Sequence, residues 1–176
     1  TAVIAVVQPY SSGIGGGGFW LLHVANDKRD VMIDGRERAP LAATRDMYLD
    51  DAGKVVPGAS VNGPLSAGIP GVPAAIDHLA RNYGRLPLTE TMSAAIKYAR
   101  EGFITDEHYQ RMASIREIPL NASKDAARIF LVDNKAPEPG TRIVQTELAH
   151  TLELIATRGA NGFYKGETAD KLLRSM

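Results

Sequence analysis

Apolar residues crowd together near the start of this chain and recur at helical spacing over much of the rest. Thr1 to Val7 is almost wholly apolar, and a stretch this short suits the last turns of a buried helix or a buried strand equally well. Gln8-Pro9 ends it, because proline lacks an N–H and restricts the residue before it. Phe19 to Val24 is a continuous apolar run, Ala25 to Lys28 is turn-like, and Val31 to Ile33 is apolar again. This pattern predicts a β-hairpin whose first strand is buried on both faces. From Gly53 to Pro73, proline, glycine and serine are dense, which predicts an ordered but irregular connection.

Helical spacing takes over from there. Val72, Ile76, Leu79 and Tyr83 form one stripe, with Gly84 as its C′ residue. Met92, Ala95, Ile96 and Ala99 form a second, closed by Gly102. Thr105 is placed to cap a third helix, with Asp106 and Glu107 favourable to its dipole. A short helical turn is expected over Asp125 to Ile129, an extended piece over Phe130 to Val132, and a loop over DNKAPEPG. Leu148, Leu152 and Ile155 mark another amphipathic helix ending at Gly159, and Thr168 to Met176 starts a last one. The class is α+β: residues 1–40 contribute to a sheet and carry a glycine-rich turn, and residues 41–176 are mostly helical.

Composition narrows the function classes. Twenty Lys plus Arg balance 20 Asp plus Glu, so the chain has no net formal charge. That argues against a nucleic-acid footprint or a polybasic membrane patch. No apolar run approaches the roughly 20 residues of a membrane span. Cysteine is absent, which removes disulfides, thiolate metal sites and a cysteine nucleophile. With 176 residues the chain is long enough to build a core without such staples. Both ends read as cuts: the chain opens inside an apolar stretch and closes on KLLRSM with a helical pattern still running.

Two segments could carry chemistry. Gly13 to Gly18 satisfies G-x-G-x-x-G, but a dinucleotide site needs a helix after the glycines, and Phe-Trp-Leu-Leu-His-Val reads as a strand. The plainer reading is that the glycines let backbone, another segment or a substrate approach closely, and a helix after Gly18 would be needed for the nucleotide reading to stand. Arg36 and Glu37 stand at the end of the second strand before a proline-containing loop. A guanidinium fork there suits bidentate carboxylate recognition, and a surface arginine with an acidic neighbour is the plainer alternative. The four histidines, His23, His78, His108 and His150, share no metal-like spacing. Thr1 precedes an apolar segment with no oxyanion donors in view, so it reads as incidental.

Three anchors give a resemblance to a known family. They are VVQPYSSGIGGGGFWLLHV, IDGRERAP and ELAHTLELIATRGANGFYKGETADKL, with GPLSAGIPGVPAAIDHLARNYGRLPLTETMSAAIKYAREGF between them. In this order they closely resemble the N-terminal part of the large subunit of the γ-glutamyltranspeptidase family; Gln8 departs from the Glu often found before that proline. The resemblance implies part of an N-terminal-nucleophile hydrolase αββα fold and a precursor that cleaves itself into two subunits. In that scheme the small subunit's N-terminal threonine attacks γ-glutamyl amides such as glutathione and passes the γ-glutamyl group to water, an amino acid or a peptide. No metal or organic cofactor is implied.

On the same resemblance, Arg36 grips the donor's α-carboxylate and Glu37 orients it, while the nucleophile and oxyanion hole lie outside this chain, leaving it inactive alone. The implied partners are the small-subunit segment and the γ-glutamyl donor, with no nucleic acid and no membrane contact from this segment. Unpaired hairpin edges would favour self-association. The implied location is periplasmic or extracellular. The alternatives are a related acylase of glutaryl or cephalosporin type, a poly-γ-glutamate depolymerase, and a non-catalytic truncated homologue.

Overall fold

In the computed structural model, which describes residues 1–175, the apolar opening becomes a helix, α1 (Ala2–Val7). The strands β1 (Gly18–Val24) and β2 (Arg29–Gly35) pair antiparallel through a short 3₁₀ turn at Ala25–Asp27. Their register sets Trp20 opposite Ile33, Leu21 opposite Met32 and His23 opposite Asp30. The irregular connection follows, and then come α2 (Val72–Tyr83), α3 (Leu88–Thr91) and α4 (Ser93–Glu101). Next in order are β3 (Phe103–Ile104), α5 (Glu107–Ile115), α6 (Glu117–Asn121), α7 (Lys124–Phe130) and β4 (Arg142–Ile143). The chain closes with α8 (Thr146–Arg158), α9 (Asn161–Tyr164) and α10 (Glu167–Ser175). Met176, included in the expected last helix, lies outside the described residues.

The core lies among α1, α4 and α8. Val6, Ala95, Ala99, Leu152 and Ile155 are fully buried there, and Met92 joins them. The small side chains of Ala95 and Ala99 sit four residues apart on one face of α4, so α1 and α8 can both approach it closely. Helix rather than strand wins for residues 2–7 because Val6 gains this burial while its carbonyl keeps a partner. Gln145, itself buried, donates Nε2–H to Val6 O at 2.8 Å and its backbone N–H to Ala99 O at 2.8 Å. One side chain thus satisfies the end of α1 at the point where α4 stops and α8 starts, as a buried polar group requires.

Three expectations need correction. The first strand is not buried on both faces: burial alternates along β1, with Trp20 and Leu22 turned inward and Phe19, Leu21 and His23 outward. Helix α2 covers one face of the hairpin, and among the described residues no helix or sheet covers the other, so the apolar run of β1 belongs to a strand buried on one side. The cap of α5 is Asp106, whose carboxylate accepts from Tyr109 N–H at 2.7 Å. Thr105 is buried instead, donating to Glu138 O at 2.8 Å and accepting from Thr141 N–H, where β3 and β4 pair. Phe130 belongs to α7 rather than to an extended piece, and Val132 pairs with Lys135 across a turn with Asp133 and Asn134 at positive φ.

Other helix signals hold. Gly102 and Gly159 close α4 and α8 at φ of +86° and +60°. Gly84 closes α2 at an ordinary φ of −74°, where the constraint is space: a Cβ would stand 3.0 Å from Ala80 Cα.

Candidate functional site

The end of β2, the glycine run and the start of α2 meet in one place. The Asp34 carboxylate accepts the backbone N–H of Arg36 at 2.9 Å, a local turn that ends the strand and holds Arg36 at its tip. Arg36 reaches over the outward ring of Phe19, with Cζ 6.0 Å from the ring centroid. This is within the range where a cation gains from an aromatic face. Glu37 turns back under the glycines, where an added Cβ on Gly16 would lie 3.5 Å from its Oε1.

That placement explains part of the glycine run. A methyl at Gly17 would lie 2.7 Å from both Arg36 Cα and Glu37 N, closer than real Cβ contacts come. At Gly15 it would meet nothing within 4 Å. The run therefore works as a seat for residues 36–37, and the segment after it is strand β1. The helix that a dinucleotide fingerprint requires is absent at that position, and with it the nucleotide reading.

From the other side, Gly71 packs against the same loop, where a Cβ would stand 2.6 Å from Arg36 O. Gly71 N–H and Val72 N–H both donate to Gly16 O, at 3.0 and 3.1 Å. Arg38 and Ile69 exchange two backbone hydrogen bonds of 3.1 and 2.7 Å. The main chain around Arg36 is thus pinned on two sides, while its side chain stays mostly in solvent.

The electrostatics follow from this arrangement. Arg36 Nε lies 3.3 Å from Glu37 Oε2, with the arginine side chain 56% exposed and the glutamate 31%. Glu37 is the more buried of the two and lies beside the guanidinium, whose fork makes no side-chain hydrogen bond among the described residues. A guanidinium held by its backbone, an acidic neighbour and a ring, with donors still free, is suited to an incoming carboxylate.

A cleft of about 460 Å³ opens beside this strand end, bounded by Arg36, Arg38, Gly71, Ala75, His78 and Tyr164 among others. Neither Arg38 nor Tyr164 is among the site candidates that the sequence offers. Arg38 could have been found by its i, i+2 spacing from Arg36, which puts two guanidinium-bearing residues on one side of an extended segment. Tyr164 carried no such local signal. The remaining histidines stay apart: His23 pairs with Asp30 on the hairpin and His150 with Glu167 between α8 and α10. Lys171 and His150 together hold the Glu167 carboxyl down at about 2. Thr1 is exposed, and its hydroxyl accepts from Trp20 Nε1–H at 3.3 Å. No group of three or more metal-ligating side chains is gathered among the described residues.

Comparison with known proteins places the chain in a family. The protein-family model described as Gamma-glutamyltranspeptidase matches residues 1–176. A glutathione hydrolase proenzyme of Pseudomonas sp. (strain A14) is 42% identical over 175 residues, which is 98% of this chain and 30% of that protein. The crystal structure of Helicobacter pylori gamma-glutamyltranspeptidase superposes with a TM-score of 0.95 at 36% identity, covering 99% of this chain and 50% of that one. The enzyme from Pseudomonas nitroreducens, complexed with L-DON, superposes at 0.88 with 37% identity and the same coverages, 99% and 50%. The chain thus spans about 30% of the length of such curated relatives.

Proposed function

Because the chain belongs to the γ-glutamyltranspeptidase family, with an α+β fold shared with these N-terminal-nucleophile hydrolases, we propose that it is the N-terminal part of the large subunit of a γ-glutamyltransferase or hydrolase. The parent acts on γ-glutamyl amides such as glutathione. Arg36 holds the donor's α-carboxylate through two charge-assisted hydrogen bonds, and Glu37 aims the guanidinium without touching the donor. The carbonyl at the other end of the glutamyl chain is thereby presented to a threonine nucleophile carried by the small-subunit segment of the same precursor. The γ-glutamyl group then passes to water or to an amino acid or peptide. These 176 residues are one partial domain, inactive alone, and the reaction needs no metal or organic cofactor. By the same family reasoning the parent works in the periplasm or outside the cell.

The observation that carries this reading is the Arg36 loop: a backbone pinned by Gly16, Gly17 and Gly71 beneath a guanidinium whose fork is free. The test is Arg36→Ala in the full-length precursor, assayed with a γ-glutamyl anilide with and without a dipeptide acceptor. Autoprocessing should persist while KM for the donor rises roughly tenfold to a hundredfold, the loss expected for hydrogen bonds to a charged group. Unchanged donor kinetics would remove Arg36 from the donor site. Turnover of a glutaryl amide in preference to the γ-glutamyl one would favour an acylase.

A further inference from the structure

Tyr164 touches none of the groups proposed to meet the donor, yet its hydroxyl is bound on both sides. It donates to Pro70 O at 2.6 Å and accepts from Ala74 N–H at 3.3 Å, across 94 and 90 positions of sequence. The far side of that same turn is joined to the Arg36 loop. Gly71 and Val72 donate to Gly16 O, Ile69 exchanges two bonds with Arg38, and Gly71 lies against Arg36 O. Residues 69–74 are therefore a spacer, held by the phenol on one side and by the loop bearing Arg36 on the other.

The phenol itself is presented from a firm base. Helix α9 packs on α8, where a Cβ on Gly162 would stand 2.7 Å from Ile155 N, and Phe163 is buried with its ring edge-on to Tyr164 at 5.1 Å. Burial raises the Tyr164 phenol above its ordinary value, opposed in part by the Ala74 N–H, so the hydroxyl stays neutral and able to donate. The same side chain lines the neighbouring cleft and ties two backbone groups of the spacer.

The geometry points to Tyr164 as a positioning residue for donor binding, setting the height of the Pro70–Ala74 turn and, through it, the place of the Arg36 guanidinium. This rests on Arg36 holding the donor's α-carboxylate. Loss of the hydroxyl frees the spacer, so the guanidinium samples more positions and binds the carboxylate less well. The carboxylate is distant from the bond that breaks, so the loss is the same in ground state and transition state, and KM moves while kcat does not.

The experiment uses the full-length precursor with Tyr164→Phe, Arg36→Ala and the double variant. Each is assayed for processing, thermal unfolding and kinetics with a γ-glutamyl anilide and with a 4-aminobutyryl anilide, which lacks the α-carboxylate. Tyr164→Phe should process normally and raise KM for the γ-glutamyl anilide about threefold to tenfold, the loss expected from one or two neutral hydrogen bonds. Its kcat, and its kcat/KM for the 4-aminobutyryl anilide, should stay within about twofold. Added to Arg36→Ala, the change should have no further effect, because residues acting through one contact do not contribute independently. The inference is overturned if KM is unmoved, if both anilides suffer alike, if the two penalties multiply, or if Tyr164→Phe alone blocks processing. If Arg36→Ala itself leaves γ-glutamyl kinetics intact, the carboxylate assignment fails first, and that result is visible before Tyr164 is considered.

Discussion

At Gly17 a single hydrogen atom stands where any other residue would put a carbon 2.7 Å from Arg36 Cα and Glu37 N. Two positions earlier, at Gly15, the same carbon would stand in open space. The glycine run therefore mixes one residue that the packing demands with others that it does not. In the full-length parent, Gly17→Ala should destabilise by about 1–3 kcal/mol, the usual cost of overpacking against backbone. Gly15→Ala should change stability by no more than about 0.5 kcal/mol, as for exposed sites. Denaturant unfolding of the two variants beside the wild type checks both, and equal effects would contradict the seating of residues 36–37 described above. Such a distinction within six residues is a matter of neighbours, which a composition of glycines does not reveal.

Among the elements, α5 shows how a local signal can be right in kind and wrong by one position. Thr105 and Asp106 are both accepted caps, and propensity prefers Asp to Thr only modestly. Pairing decides: Thr105 is drawn into the β3–β4 contact, where its N–H donates to Thr141 O and its hydroxyl bridges Glu138 and Thr141, and that leaves Asp106 at the helix start. Asp106→Ala should cost about 1 kcal/mol of stability, read as a lowered unfolding midpoint, and Asp106→Asn should recover most of it. Thr105→Ala should cost at least as much by a different route, since it strips a hydroxyl from buried backbone partners. Helices α2, α4 and α8 were easier to read because each has a long apolar stripe and a glycine after it.

On the scale of the whole molecule, the outward face of the hairpin sets exposed Phe19, Leu21 and Met32 beside His23 and Asp30, and no helix or sheet packs on it among the described residues. Phe19, Leu21 and Met32 are 60%, 80% and 66% exposed, and Leu21 and Met32 are direct cross-strand neighbours. A two-stranded sheet with apolar side chains on an open face invites pairing or stacking with another chain. The isolated 176-residue chain should elute in size-exclusion chromatography as concentration-dependent oligomers. Replacing the facing pair, Leu21→Arg with Met32→Glu, should shift it toward monomer. A compact wild-type monomer across the concentration range would contradict this.

The sequence by itself determined the local elements and the motif: the hairpin, helices α2, α4 and α8, and an arginine at a strand end beside a glycine run. Each depends on residues near one another in the chain, through periodicity, turn chemistry and steric limits on φ. Tertiary structure alone decided that residues 2–7 are helical, because the choice rests on packing against α4 and on a bond from Gln145, 139 positions away. It alone decided that β1 is covered on one side, since an apolar run does not say how many layers lie above it. It also placed Tyr164 behind the Arg36 loop through a bond spanning 94 positions. A hydrogen bond between distant segments leaves no periodic trace in either one; its partners become visible when the chain has folded back on itself.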